Sequence, residues 1–421
     1  MERMSASPPG IRKAWLICGL LLLASAINYM DRQTLANASV RITREFGLNN
    51  EQYGNVEAWF GYAFAAGSLC FGVLADRLPL RWLYPVIVAL WSVVGFATGL
   101  VKSYDGLLIC RTLLGFFESG HWPCGIKATR LLLSARDRSL GNGVLQSGTS
   151  VGAIITPLLM RAMMTEETGS WRGAFQLIGA IGLGWLVLWF LMVKKADLVS
   201  PPESPEQKAA GGESFWKIVC SRRMMVIFGM LACINTTWQI LRAWLPKFLQ
   251  EGRGWLETDA LYFNAAWFAA TDVGCLGAGA LALWFARRGM SVNHSRMIVF
   301  TGCGLLVAAA ATAPLIAQGW PLIAVLMLAG AGALGLFPIY HAFTQDISGR
   351  YQGRITGIAG VVGWILPAWA QRGFGRLADL TGSFNTGFVL AAFLPLVAAA
   401  ILVLGWGKQD PAESSSTPKP T

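Results

Sequence analysis

Residues 14–38 read AWLICGLLLLASAINYMDRQTLANA, and this stretch decides the fold. As a helix it is long enough to cross the roughly 30 Å of hydrocarbon in a bilayer. Near its far end it nevertheless carries two adjacent charges, Asp31 and Arg32. A second apolar stretch, 105–130, carries Arg111 and Glu118. Charged side chains at the bilayer centre cost at least a few kcal/mol, and they persist where they face a cavity, pair with one another, or handle an ion or ligand. The four charges predict a membrane transporter whose substrate and coupling ion act at these side chains.

The composition agrees. The 421 residues are 54% hydrophobic and only 14% charged, against about 25% charged in a soluble domain. Only helices and closed barrels satisfy their backbone polar groups in lipid, and the apolar runs are too long and continuous for barrel strands of about 10 alternating residues. The net charge of +11 does not point to nucleic acid, because the basic residues fall in short connectors between spans, where the positive-inside rule places them. The eight cysteines are scattered, with no CxxC pair, and read as small packing residues. Several tryptophans, including Trp15, Trp82, Trp171, Trp320 and Trp406, fall near span ends, as in interfacial belts. No Walker loop, HExxH or metal-spaced Cys/His cluster occurs, so no enzyme, cofactor or metal is indicated. Arg12 and Lys13 precede an apolar run that continues past signal-peptide length to Ile27; it reads as a first span with its N-terminus in the cytoplasm.

Twelve helices are predicted, over 14–38, 53–76, 82–101, 105–130, 139–163, 172–194, 223–250, 259–287, 296–317, 320–346, 352–379 and 385–406. Connectors on one side carry Arg77, Arg81, Arg130, Arg136, Arg138, Lys194, Lys195, Arg222, Arg223, Arg287, Arg288, Arg350 and Arg354, and those on the other hold Glu45, Glu51, Glu166, Glu167, Glu251, Glu257 and Asp259. The first side is expected to be cytoplasmic, with both termini there. The longest polar connector, 195–222, contains SPPESPEQKAAGGES and splits the spans six and six. It reads as a flexible linker without a core of its own. The predicted organisation is therefore a bundle at 1–194, a cytoplasmic linker at 195–222, a second bundle at 223–407 and a disordered tail at 408–421. Arg138-Ser-Leu-Gly141 followed by Gly148 matches Arg350-Tyr-Gln-Gly353 followed by Gly360 at equal spacing. A repeat of this kind supports two bundles facing each other with a substrate site between them near the midplane.

Four segments carry a resemblance. Gly72-Val-Leu-Ala-Asp76-Arg77-Leu-Pro-Leu-Arg81 is similar to the loop signature between helices two and three of the major facilitator superfamily, with Pro79 where glycine is usual. Asn28-Tyr-Met-Asp31-Arg32, Arg111-Thr-Leu-Leu-Gly-Phe-Phe-Glu118-Ser-Gly120 and Phe337-Pro-Ile-Tyr-His-Ala-Phe-Thr-Gln345-Asp346 resemble the anion:cation symporter family of that superfamily, the hexuronate, galactonate and sialic acid carrier type. The resemblance implies an all-α membrane protein of twelve transmembrane helices in two six-helix bundles. It also implies a secondary active transporter that imports a small organic anion, a hexuronate or aldonate sugar acid, by proton symport with alternating access. The implied partners are the anion, protons and the bilayer of the inner membrane, and the implied state is a monomer.

The residues can be weighed one by one. Arg111 and Glu118 are seven apart, hence on one helix face about 10 Å apart along the axis. Arg111 reads as a bidentate clamp on a substrate carboxylate and Glu118 as a group that gains and loses a proton; a structural ion pair to another helix is the alternative. Asp31 and Arg32 leave their helix about 100° apart. Asp31 is either the second protonatable group or the neutraliser of Arg32 or Arg111, and Arg32 helps bind the anion. Tyr29, Tyr62, Gln146, Trp238 and Gln239 are candidate cavity residues, with packing and interhelical hydrogen bonding as their alternatives. Asp76, Arg77 and Arg81, together with His341 and Gln345 deeper in helix ten, are expected at a cytoplasmic gate. His121 reads as a relay or a hydrogen-bonded wall residue. Asp272 reads as a third titrating group or a structural partner, and Arg242 as a snorkelling residue near the outer end. Two rival functions remain: an exchanger of organic phosphate against phosphate, which needs intramembrane arginines but not both acids, and a sensor that binds a sugar acid without moving it.

Overall fold

The computed structural model describes residues 10–134, 137–198, 215–345, 347 and 352–407. Helix α1 (Ile11–Asn37) is followed by the short α2 (Ser39–Phe46), then by α3 (Asn50–Arg77), α4 (Leu80–Thr98), α5 (Tyr104–Glu118), α6 (His121–Leu132), α7 (Arg138–Met163) and α8 (Trp171–Met192). The second half holds α9 (Phe215–Val219), α10 (Arg222–Lys247), α11 (Glu257–Arg287), α12 (Val292–Ala308), α13 (Trp320–Gln345), α14 (Gln352–Thr381) and α15 (Asn385–Gly405). Ten helices among the described residues are long and apolar enough to cross a membrane. Together with α14 and the broken pair α5–α6 they make twelve spans. The chain is a multi-pass, all-α membrane protein of two six-helix bundles. Residues 199–214 of the predicted linker and 408–421 of the predicted tail lie outside the described residues.

The face at which α1 begins is here the near face, and the face at which it ends is the far face. Arg77, Arg130, Lys194, Arg222, Arg287 and Arg288 are exposed at the near face. Polar side chains set several starts. Asn49 accepts the Gln52 N–H at 2.8 Å while the Gln52 side chain accepts the Asn49 N–H at 3.0 Å, a capping box that opens α3. Ser103 and Ser221 cap α5 and α10 in the same manner, by accepting the N–H groups of Gly106 and Met224.

The predicted single helix over 105–130 is interrupted at Ser119–Gly120. Pro123 has no N–H to return to the Ser119 carbonyl, and Gly120 bonds back to Phe117 at 3.2 Å rather than one residue further. Glu118 is therefore the last residue of one helix and His121 the first of the next, and the break lies at the level of the charges. The segment between the first two spans, expected to be only a connector, folds as α2, with Val40 and Ile42 buried against the far face.

Close approach of helices fixes the site. A side chain at Gly115 would meet the carbonyl of Phe60, and one at Gly152 the carbonyl of Ala26. Such small-residue contacts let backbones touch in lipid; here they draw α5 onto α3 and α7 onto α1. Between bundles, α3 packs on α14, α7 on α11 and α1 on α10.

Candidate functional site

Six ionisable side chains converge inside the helices. Asp31 and Arg32 come from α1, Glu57 from α3, Arg111 and Glu118 from α5, and Arg242 from α10. None is more than 3% exposed, so these charges must answer one another. Arg32 donates from Nε to Glu118 Oε2 at 2.6 Å and from Nη2 to Asn28 Oδ1 at 2.9 Å. Arg242 donates from Nη2 to Glu57 Oε2 at 2.6 Å and from Nε to Gln239 Oε1 at 2.8 Å. Arg111 lies 4.0 Å from Glu57. Its guanidinium nitrogens, both Asp31 oxygens, Glu57 Oε1 and Glu118 Oε1 are buried without a hydrogen-bond partner. The arrangement holds donors and acceptors in surplus, which is what a site for a polar guest requires.

Aromatic rings enclose the cations. The Arg32 guanidinium lies 4.9 to 5.6 Å from the rings of Tyr29, Phe60, Phe64 and Trp364, and that of Arg111 lies 4.6 Å from Phe60. Ring faces attract cations and stabilise them where water is scarce. Trp364 belongs to the second bundle and packs at 4.4 Å on Phe64 of the first.

The structure brings Asp31, Arg32, Arg111 and Glu118 together, with Arg32 paired to Glu118 rather than to its neighbour Asp31, whose carboxylate lies against Gly95 of α4. Tyr29 accepts the indole N–H of Trp238 at 3.2 Å across the bundles, and Trp238 stacks on Trp267. Gln239 holds Arg242 and, through its carbonyl, the Gln371 amide at 3.0 Å. Tyr62 is not among them: it packs edge-on against Trp59, itself half exposed. Residues two apart point about 200° apart on a helix, so Phe60 and Phe64 face the charges and Tyr62 does not. Gln146 is exposed on α7, 3.4 Å from Thr149. Asp76 and Arg77 are exposed at the near face, Arg81 lies 5.6 Å from the Trp82 ring, and His341 is exposed on α13. The side chain of Gln345 lies outside the described residues.

Three further positions differ from, or extend, the sequence reading. Arg242 does not snorkel: it is 1% exposed and locked to Glu57 of the other bundle, because α3 supplies a carboxylate at its depth. His121 uses both ring nitrogens, one with Ser25 and one with Tyr84, each at 2.9 Å, and so ties α1, α4 and α6. Asp272 accepts from Ser150 at 2.6 Å and joins α7 to α11. Sequence reasoning missed Glu57. Its signal was there: an acid seven residues into an apolar helix, on the face of Phe60, Gly61 and Phe64.

At the far face the bundles meet through polar contacts. The Asp379 carboxylate accepts the N–H groups of Asn50 and Glu51 at 3.1 and 2.8 Å, capping α3 from the opposite bundle. Arg372 pairs with Glu51 at 2.9 Å, Lys247 bonds Thr43 at 3.0 Å, and Asn264 bonds Asn37 at 2.8 Å. Arg41 grips both oxygens of Glu257 at 2.8 and 2.6 Å; this hydrogen bonding raises the Arg41 guanidinium above its ordinary value, against the opposing effect of burial. Between α3, α10 and α14, the crevice lined by Glu57, Gly61, Gln239, Arg242, Trp364 and Gln371 is too narrow for a water molecule. These contacts between the bundles lie from mid-depth to the far face. No group of His, Cys, Asp and Glu among the described residues is placed to hold a metal.

Comparison with known proteins agrees with this geometry. The chain is 27% identical over 406 residues to the probable sulfoacetate transporter of Cupriavidus necator, covering 91% of this chain and 92% of that one. It is 25% identical to the hexuronate transporter of Escherichia coli (strain K12), covering 92% and 93%. The crystal structure of a bacterial homolog of the human lysosomal transporter Spinster, inward-facing and unoccupied, superposes with a TM-score of 0.79 at 16% identity, over 94% of this chain and 98% of that one. Residues 21–371 match the sequence pattern of the Major Facilitator Superfamily. With its twelve spans and its organic-anion transporting relatives, the chain belongs to the Major Facilitator Superfamily, whose members are transporters and not enzymes.

Proposed function

We propose that this protein imports a small organic anion, a sugar acid of the hexuronate or aldonate kind, together with protons. The observation that carries the reading is the buried Arg32–Glu118 pair at 2.6 Å beside Arg111 and Asp31, whose polar atoms lack partners. A carboxylate that holds an arginine releases it when protonated. Protonation of Glu118 frees Arg32, protonation of Asp31 removes a second negative charge from the cluster, and both guanidinium groups then become available to an incoming carboxylate. Arg111 offers a fork suited to carboxylate geometry. Tyr29, Trp238 and Gln239 line the route beside it, and aromatic rings suit the apolar faces of a sugar. The hexuronate transporter among the relatives supports the cargo class.

Transport follows by alternating access. In this reading the polar contacts at the far face are a closed gate and the site opens toward the near face; the basic connectors there support a cytoplasmic near side in a cell's inner membrane. Asp76, Arg77, Arg81 and His341 lie on that side and form its gate when the carrier turns outward. The division into bundles at 1–194 and 223–407 defines the two rocking bodies, and a single copy contains the whole site. In proteoliposomes, an inward gradient of D-glucuronate or D-galactonate is expected to make the outside more alkaline. Glu118→Gln is expected to lose net proton-coupled uptake, by about tenfold or more on the scale of lost general acid–base function, while retaining exchange. Undiminished proton-coupled uptake by that variant excludes Glu118 from coupling.

A further inference from the structure

Glu57 stands between two guanidinium groups that belong to different bundles. Its Oε2 is 2.6 Å from Arg242 on α10. Its Oε1, which has no hydrogen-bond partner, faces Arg111 on α5 at 4.0 Å. Arg242 is itself held in readiness by Gln239 at 2.8 Å and by the Arg32 carbonyl at 3.4 Å. With the bundles together, the crevice beside the pair is too narrow for a water molecule, so the pair is dry in this state.

Parting the bundles at the far face carries Arg242 away with the second bundle. Arg111 stays, because α5 is drawn tightly onto α3 at Gly115. A buried carboxylate stripped of its cation is strongly unfavourable, and the nearest remaining cation is Arg111. Resting on the transport reading above, we propose that Glu57 changes partner with the direction the carrier faces: Arg242 when the far face is closed, Arg111 when it is open. Glu57 is then a positioning residue and a resident stand-in for the cargo's carboxylate. An organic anion that arrives from the far face and docks on Arg111 displaces Glu57. The freed carboxylate regains a partner only when α10 swings back, so anion binding itself favours closure. A ligand shifts a conformational equilibrium only through such a difference in contacts between the two states.

Two readouts test this. Spin labels at Lys102 and Leu315, exposed far-face residues on different bundles, are introduced into a background whose native cysteines are replaced. Without any anion, Arg242→Gln is expected to shift the distances furthest toward longer values, because it removes the far-closed pair and leaves Glu57 on Arg111; Glu57→Gln and the double variant, which remove both pairings, are expected to shift them less. Binding of D-glucuronate is expected to be tighter in Glu57→Gln than in the wild type, since the competitor is gone. In Arg242→Gln it is expected to be about tenfold weaker, because Glu57 stays on Arg111, and in the double variant to return to within about threefold of Glu57→Gln. A double variant as weak as Arg242→Gln, or distances unmoved by Arg242→Gln, overturns the proposal. If Arg242→Gln does not fold, Arg242→Lys, which keeps the charge and loses the fork, must show the same order with a smaller spread. Failure of the wild type to bind any sugar acid while the distances still move in this order sinks the cargo assignment and leaves the latch; intact binding with unmoved distances does the reverse.

Discussion

A single guanidinium shows what the interior demands. Arg111 is fully buried, lies 4.6 Å from the Phe60 ring and 4.0 Å from Glu57, and makes no hydrogen bond. A lysine there keeps the charge but loses the planar fork and the ring contact. Arg111→Lys is expected to weaken sugar-acid binding by about tenfold or more, the equivalent of about 1.4 kcal/mol, with the fold retained; titration calorimetry on the purified variant checks it. At this scale the sequence was informative and incomplete. Asp31, Arg32, Arg111 and Glu118 announced themselves by lying in apolar runs. Position along a helix gives depth, not what approaches from a neighbour, and for that reason Arg242 read as a residue reaching for the surface. Glu57 satisfied the same criterion as the four, inside the predicted span 53–76, but lay outside every motif that carried the resemblance and was passed over.

Among the elements, spans were legible because lipid sets their length, and breaks within them were not. The interruption at Ser119–Gly120 arises from Pro123 two positions inside the next helix, a local rule that a window of about 20 apolar residues averages away. Helix α2 escaped notice because eight residues cannot span a bilayer, and its role as a far-face plate depends on Arg41 reaching Glu257 across the bundles. The seam between α3 and α5 depends on Gly115. Gly115→Leu forces the Phe60 backbone away, and overpacking of this sort costs about 1–3 kcal/mol. Its melting temperature in detergent is expected to fall and its uptake to be lost, since Arg111 and Glu118 move with α5. Gly143→Leu, at a position with open space around it, is expected to change neither by much; equal damage from both substitutions contradicts the account of the seam.

As a whole the molecule consists of two bodies whose meeting plane is dry at depth and polar at the far rim. Asn37 and Asn264 touch across that rim at 2.8 Å. With both replaced by cysteine in a cysteine-free background and joined by a short reducible cross-linker, uptake is expected to stop and to return on reduction. Uptake that persists while the link is intact contradicts alternating access through this face. Two-body architecture was readable from the six-plus-six count and the long polar connector; the direction in which the bodies face was not, because no residue pattern records which of two states is populated.

The cap that Asp379 places on α3 has a kinetic meaning. Its three acceptor contacts, like that of Glu51 with Arg372 nearby, lie where solvent can supply replacements one at a time. Nothing comparable is available to the ion pair and stacked rings beneath. Separation therefore unzips from the surface downward: the outer bonds fray readily and reversibly, and the height of the barrier to turning over is set in the anhydrous layer below them.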